Sequence, residues 1–196
     1  VNGIFEGRFD IVLTNPPFGA NVEASDKIEE SHFTVSEEVY KKYKADYGSL
    51  YKDAIDRVRA AKDKSILSLF NLPKKGGKIK TEILFLERCL ALLKPGGRFG
   101  IVLPEGIFNN PSLAYVREFC ENRAFIRAVI SLPQETFYSS GASVKASLLF
   151  LQKFTEKEQA DFDAKQAKAS AEVQEKHADS TAAESKRIEI AIAAAK

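Results

Sequence analysis

The segment Phe9-Asp10-Ile11-Val12-Leu13-Thr14-Asn15-Pro16-Pro17-Phe18-Gly19 concentrates groups that can do chemistry. Asn15 offers a carboxamide oxygen, Pro16 a rigidly held carbonyl and Phe18 a flat apolar face, and no charge, hydroxyl or thiol stands among residues 15 to 18. Such a set suits a planar ligand with an exocyclic amino group. Two acceptors take the two N–H bonds while the ring stacks on Phe18. Local chemistry alone leaves a second reading open, a strand that simply ends in a proline-rich turn.

The elements that must position this tetrad follow from patterning. The apolar run before Asn15 reads as a buried strand, and Pro16 and Pro17 end it, because proline fixes φ near −65° and cannot donate to a ladder. In an open parallel α/β sheet, ligands bind outside the carboxyl ends of strands, where the tetrad would sit. Thr81 to Leu93 is apolar nearly all round, with Ile83, Leu84, Phe85, Leu86, Leu90, Leu92 and Leu93, which predicts a buried helix covering a sheet face. Pro95-Gly96-Gly97 stops it, and Lys94 places a cation against its C-terminus. Arg98–Leu103, Phe125–Leu132 and Ala146–Lys153 read as strands and Leu113–Asn122 as a helix. That alternation favours a parallel sheet with crossover helices. The link between the last two strands is short and has no helical period, which permits an antiparallel hairpin.

Residues 21–80 are polar, with candidate helices from Ser36 to Asp46 and from Ser49 to Lys64. In the second, Tyr51, Ile55, Val58 and Lys62 recur at helical spacing behind Ser49 as N-cap. The segment reads as an insertion after the loop. Ser65 to Leu72 is too short for periodicity to separate helix end from strand. Tyr40, Tyr43, Tyr47 and Tyr51 form a helical stripe interleaved with Lys41, Lys42, Lys44 and Lys52; it either grips nucleic acid or packs the insertion, packing being the commoner fate. Lys74 to Lys80 carries four lysines and two glycines, a flexible basic loop suited to phosphate contact or simply to solvation. From Thr155 to Lys196 the chain turns to Ala, Glu, Lys and Gln with few large apolar residues. This predicts an exposed helix or pair of helices in need of a partner.

Composition bounds the function. A length of 196 residues with 44% apolar content fits one domain plus an appendage. Lys and Arg total 29 against 27 Asp and Glu, a balance that neither announces a nucleic-acid binder nor excludes local contact. Cys89 and Cys120 lack paired spacing and His32 and His177 stand apart, so neither a metal site nor a disulfide framework is expected. No apolar run reaches the roughly 18 residues that span a bilayer and no signal peptide is recognisable, which predicts a cytoplasmic protein without a membrane partner.

With its strand, Asn15-Pro16-Pro17-Phe18 resembles motif IV of the amino-group (adenine N6) DNA methyltransferases, whose pattern is Asn/Asp-Pro-Pro-Tyr/Phe/Trp. Thr81 to Pro104 looks like that family's helix, Lys-Pro-Gly-Gly turn and next strand, and Ser131 to Lys153 is similar to the closing strands in modification subunits of type I restriction systems. The resemblance covers most of residues 9 to 153. It implies an α/β fold: a partial, Rossmann-like methyltransferase sheet of about four strands with the last antiparallel. The catalytic domain would span 1–154, with a helical insertion at 21–80 and a helical tail at 155–196. It further implies methyl transfer from S-adenosylmethionine to the N6 amino group of a flipped-out adenine, with DNA, a specificity subunit and a restriction subunit as partners. Asn15, Pro16, Pro17 and Phe18 would be the catalytic motif, Phe18 and Phe137 would stack on the base, and Phe85 and Pro17 would meet the cofactor. Ordinary core packing is the competing reading for Phe85 and Phe137. The competing functions are methylation of a glutamine side chain in a protein and a non-catalytic assembly module.

The family has, upstream of this motif, a strand ending in a glycine-rich loop for the cofactor, which this sequence lacks before Asp10. The expectation is therefore the C-terminal part of a catalytic domain that by itself binds cofactor weakly or not at all and is inactive. The strand from Phe9 to Thr14 would then present an open edge able to recruit a second copy into a homodimer.

Overall fold

A computed structural model describes residues 6–72, 77–140 and 144–194. The elements in chain order are β1 (Phe9–Thr14), β2 (Asn21–Glu23), α1 (Glu37–Tyr47), α2 (Ser49–Ala60), β3 (Lys78–Lys80), α3 (Thr81–Leu92), β4 (Leu93–Pro104), α4 (Gly106–Asn109), α5 (Ala114–Glu121), β5 (Ala124–Ser131), β6 (Ala146–Lys153) and α6 (Glu156–Ala194). They divide into two compact units, Val1–Phe154 and Thr155–Lys196.

The first unit is a mixed α/β layer built on a sheet of order β1-β4-β6-β5. β1 is parallel to β4, and β6 is antiparallel to both β4 and β5, so the last strand is the reversed one, as expected. Alternation sends Phe99, Ile101 and Leu103 of β4 and Leu149 and Leu151 of β6 into one buried core with Ile83, Leu86 and Leu90 of α3 and Val116 and Phe119 of α5. The opposite face stays open. Ile11 is 61% and Leu13 74% exposed, and with Arg98, Gly100, Phe150 and Gln152 they line a shallow depression of about 570 Å³.

The junction of α3 and β4 departs from expectation. Strand pairing begins at Leu93, not Arg98: Phe9 pairs with Leu93 and Ile11 with Arg98, so residues 94–97 bulge opposite Asp10. Lys94 turns to Asp10, its Nζ 2.9 Å from both carboxylate oxygens. The cation at the α3 C-terminus is instead Lys153, whose Nζ donates to the carbonyls of Leu90 and Leu93 at 2.9 and 2.8 Å. Orphan carbonyls at a helix end attract whichever cation the fold brings near, and here it comes from the far strand.

Between β1 and α3, Ser36 caps α1 by accepting from the Val39 N–H. α2 ends at Ala60 and takes Gly48, not Ser49, as its N-cap residue. Ser65–Leu72 is neither strand nor helix end but a 3₁₀ turn over Ile66–Leu69. Its Leu67 and Leu72 rejoin the main core, while Ile28, Phe33, Val58 and Ala61 form a small core of their own. Tyr40 and Tyr43 lie with ring centroids 5.8 and 5.4 Å from the buried Tyr51, so the tyrosine stripe packs α1 on α2. Lys78–Lys80 is not loop but β3, paired antiparallel with β2. Lys74, Lys75 and Gly76 lie outside the described residues.

The second unit is one continuous helix of 39 residues rather than a pair. Thr155 opens it with a capping box: its N–H donates to Glu158 Oε2 at 2.8 Å and its Oγ1 accepts from the Glu158 N–H at 3.3 Å. Among the described residues no helix is long and apolar enough to cross a membrane.

Candidate active site

At the carboxyl end of β1 the ladder to β4 stops at Thr14, which pairs with Ile101, and residues 15–18 leave as irregular backbone. Pro16 is buried, Phe18 half-buried, Asn15 and Pro17 exposed. Neither the Asn15 carboxamide nor the Pro16 carbonyl makes a hydrogen bond among the described residues. The Pro17 carbonyl does: it accepts from Thr81 Oγ1 at 3.0 Å. Gly19, at φ +85°, then turns the chain into β2, a conformation that L side chains rarely adopt.

α3 begins where the loop ends. The Thr81 N–H donates to the Ala20 carbonyl at 3.0 Å, and Asn21 pairs with Lys80, so β2, β3 and the first turn of α3 hold the far side of the loop. Phe85 stands one turn further along. Its ring is 40% exposed while Ile83, Leu84, Leu86 and Glu87 are buried, which sets it apart from the core packing that its apolar helix suggests.

β1, β4 and β5 run the same way, so their outgoing connections leave one edge of the sheet. After β4 comes Glu105, half-buried, whose Oε2 accepts from the buried Ser147 Oγ at 2.9 Å. After β5 comes a 3₁₀ segment, Gln134–Ser140, which carries Phe137 half-buried. It opens with Thr136 donating twice to the Pro133 carbonyl. Phe18 and Phe137 thus belong to the same edge but make no ring contact among the described residues. Sequence reasoning overlooked Thr81 and Glu105. Thr81 was readable only as a helix start, and Glu105 follows a proline at a strand end much as Asn15 precedes one.

The thiols take no part. Burial pushes Cys89 up to about 11 and Cys120 up to about 12, outweighing Arg88 and Arg123 beside them. Both are buried and protonated near neutrality, and so unfit as nucleophiles. No cluster of His, Cys, Asp and Glu among the described residues could hold a metal ion. What remains in residues 15–18 is an uncharged loop with two acceptors that make no hydrogen bond among the described residues and an aromatic ring, groups able to hold an amino group but not to attack it covalently.

The family model of the N-6 DNA methylases matches residues 68–194, well over half of the sequence. The chain belongs to the N-6 DNA methylase family. The match runs from the turn before β3 through α3, β4, β5 and β6 into α6, and residues 15–18 lie ahead of it. No curated protein matches the chain. Among solved structures it is similar to a protein described as a class I S-adenosylmethionine-dependent methyltransferase from Listeria monocytogenes, with 22% identity, a TM-score of 0.45, and coverage of 76% of this chain and 33% of that one. It is similar also to the M protein of the type I restriction enzyme EcoKI (19%, TM-score 0.45, 78% and 22%). A modification subunit of a type I restriction enzyme from Vibrio vulnificus matches alike (18%, TM-score 0.45, 86% and 34%). The chain spans about a third or less of the length of these proteins.

Proposed function

We propose that this chain carries the base-binding loop of a DNA methyltransferase that moves a methyl group from S-adenosylmethionine to the N6 amino group of a flipped-out adenine. It would do so as part of a type I restriction-modification system, alongside specificity and restriction subunits. One observation carries the reading: in a member of the N-6 DNA methylase family, Asn15 Oδ1 and the Pro16 carbonyl make no hydrogen bond among the described residues at the carboxyl end of β1, with Phe18 two residues beyond Pro16.

The adenine amino nitrogen is a poor nucleophile because its lone pair is delocalised into the ring. Hydrogen bonds from both its protons to Asn15 and Pro16 favour pyramidalisation, localise the lone pair and disperse the positive charge that grows during attack. Acceptors fixed in place beforehand stabilise that charge without reorganising. Reaching the amino group requires extruding the base, at a cost of a few kcal/mol of lost stacking. Phe18, and Phe137 from the connection after β5, offset part of it by stacking. S-adenosylmethionine, when bound, supplies an electrophilic methyl group on a sulfonium. The residues fit it: Phe85 presents an exposed ring amid buried neighbours, an apolar face for a purine, and Pro17 is exposed beside the loop.

The same two acceptors would hold a glutamine carboxamide, so the product decides. Full-length protein is incubated with methyl-labelled S-adenosylmethionine and duplex DNA, and separately with glutamine-bearing peptides. Label recovered as N6-methyladenine is the expected result; label on glutamine, or on neither, overturns the reading. The exposed Ile11 and Leu13 at the sheet edge also favour self-association of this chain, which sedimentation would register as a dimer and a clean monomer would refute.

A further inference from the structure

The residue that sets the shape of the loop is not in the tetrad. Planar peptide bonds leave two soft torsions per residue, and in Pro16-Pro17 the rings fix both φ angles. Pro16 precedes a proline, which confines its ψ to the extended range as well. The ψ of Pro17 is then the one torsion left to local chance. It decides where the Pro17 carbonyl points and where Phe18 goes relative to Asn15.

Thr81 stands on that torsion. Its hydroxyl lies 3.0 Å from the Pro17 carbonyl, 3.3 Å from the Ala20 carbonyl and 3.5 Å from Glu82 Oε2. A hydroxyl has one proton to donate. Of the three acceptors the Pro17 carbonyl is the nearest, and the Ala20 carbonyl is already held by the Thr81 N–H at 3.0 Å, so the hydroxyl is best placed to serve Pro17. Thr81 itself is held firmly, because α3 behind it is buried through Ile83, Leu84 and Leu86 and β3 before it is paired with β2. Of the two proline carbonyls, that of Pro17 is hydrogen-bonded, while that of Pro16 accepts no bond among the described residues.

We propose that Thr81 is a positioning residue for methyl transfer: its hydroxyl fixes the Pro17 carbonyl and so sets the spacing between the Asn15–Pro16 acceptor pair and the Phe18 ring. The inference rests on the methyltransferase reading above. It assigns Thr81 no contact with substrate or cofactor.

The test compares Thr81→Val, which keeps the shape and removes the hydroxyl, with Thr81→Ser, which keeps the hydroxyl, in the full-length protein, with Asn15→Ala as reference. The geometry predicts that Thr81→Val lowers kcat roughly ten- to hundred-fold, the range a displacement of about 1 Å can cost. The loss should fall on kcat more than on KM for S-adenosylmethionine, and Thr81→Ser should recover most of the rate. Independently of activity, exchange of the residue-81 amide, whose N–H donates to the Ala20 carbonyl, should rise in Thr81→Val and not in Thr81→Ser. Wild-type kcat and wild-type exchange in Thr81→Val, or equal losses in Val and Ser, overturn the proposal. If Asn15→Ala abolishes transfer and Thr81→Val keeps the wild-type rate, the positioning role alone fails. If Asn15→Ala retains transfer, the methyltransferase reading of the loop fails first, and the exchange data still decide whether Thr81 shapes it.

Discussion

Phe18 and Tyr51 illustrate how two rings of the same composition class take opposite roles. Phe18 is half-buried at a strand end with no ring partner among the described residues, and under the proposed function it is the platform for the base. Phe18→Ala should weaken the grip on an extruded base by roughly 1–3 kcal/mol, the usual worth of base–aromatic stacking, whereas Phe18→Trp should preserve it. Fluorescence of 2-aminopurine at the target position reads this directly, and equal behaviour of Ala and Trp would remove Phe18 from the role. Tyr51 is fully buried between Tyr40 and Tyr43, and its hydroxyl has no hydrogen-bond partner among the described residues. A buried unsatisfied hydroxyl costs about 1–3 kcal/mol, so Tyr51→Phe should raise the melting temperature. A fall would reveal a partner for the hydroxyl. The tetrad could be proposed from the sequence because its chemistry is contiguous. Thr81 was not, because its hydrogen bond spans 64 positions and no local pattern records such a pairing.

At the scale of elements, the long ones were readable and the short ones were not. α3, β4 and β6 announce themselves through apolar runs long enough to carry a period. β2 and β3 have three residues each, too few to show alternation, and they exist because they pair with one another. The Lys-Pro-Gly-Gly stop was read correctly as a helix end but not as a bulge, since its cause is the approach of β1. A Cβ on Gly97 would meet the Lys94 carbonyl at 2.9 Å and the Asp10 carbonyl at 3.1 Å, both backbone atoms that cannot swing aside. Gly97→Ala should therefore push β1 from β4 and destabilise the unit by about 1–3 kcal/mol, the usual cost of overpacking. Urea denaturation measures it. An unchanged midpoint would show that the bulge relaxes freely.

For the whole molecule, the buried thiols make stability depend on alkaline pH. Cys89 and Cys120 are raised from 9.0 to about 11 and about 12, chiefly by burial. Between pH 9 and those values the unfolded chain loses thiol protons that the folded chain retains, so their contribution is fully present below pH 9 and is lost as pH climbs above it. Melting temperatures of the wild type should fall more steeply above pH 9 than those of the Cys89→Ala, Cys120→Ala double variant; parallel curves would mean the thiols ionise alike in both states. The helix from Glu156 onward was legible by composition, though its continuity was not, because high helix propensity does not mark where a helix breaks. The central claim concerns the loop after β1, and steady-state methyl transfer by Asn15→Ala tests it most directly. In the proposed mechanism Asn15 acts on charge that appears only in the transition state, so kcat should fall by far more than ten-fold, above about 1.4 kcal/mol in barrier, with melting temperature and DNA affinity unchanged. A variant that keeps more than about a tenth of the wild-type kcat would contradict the account.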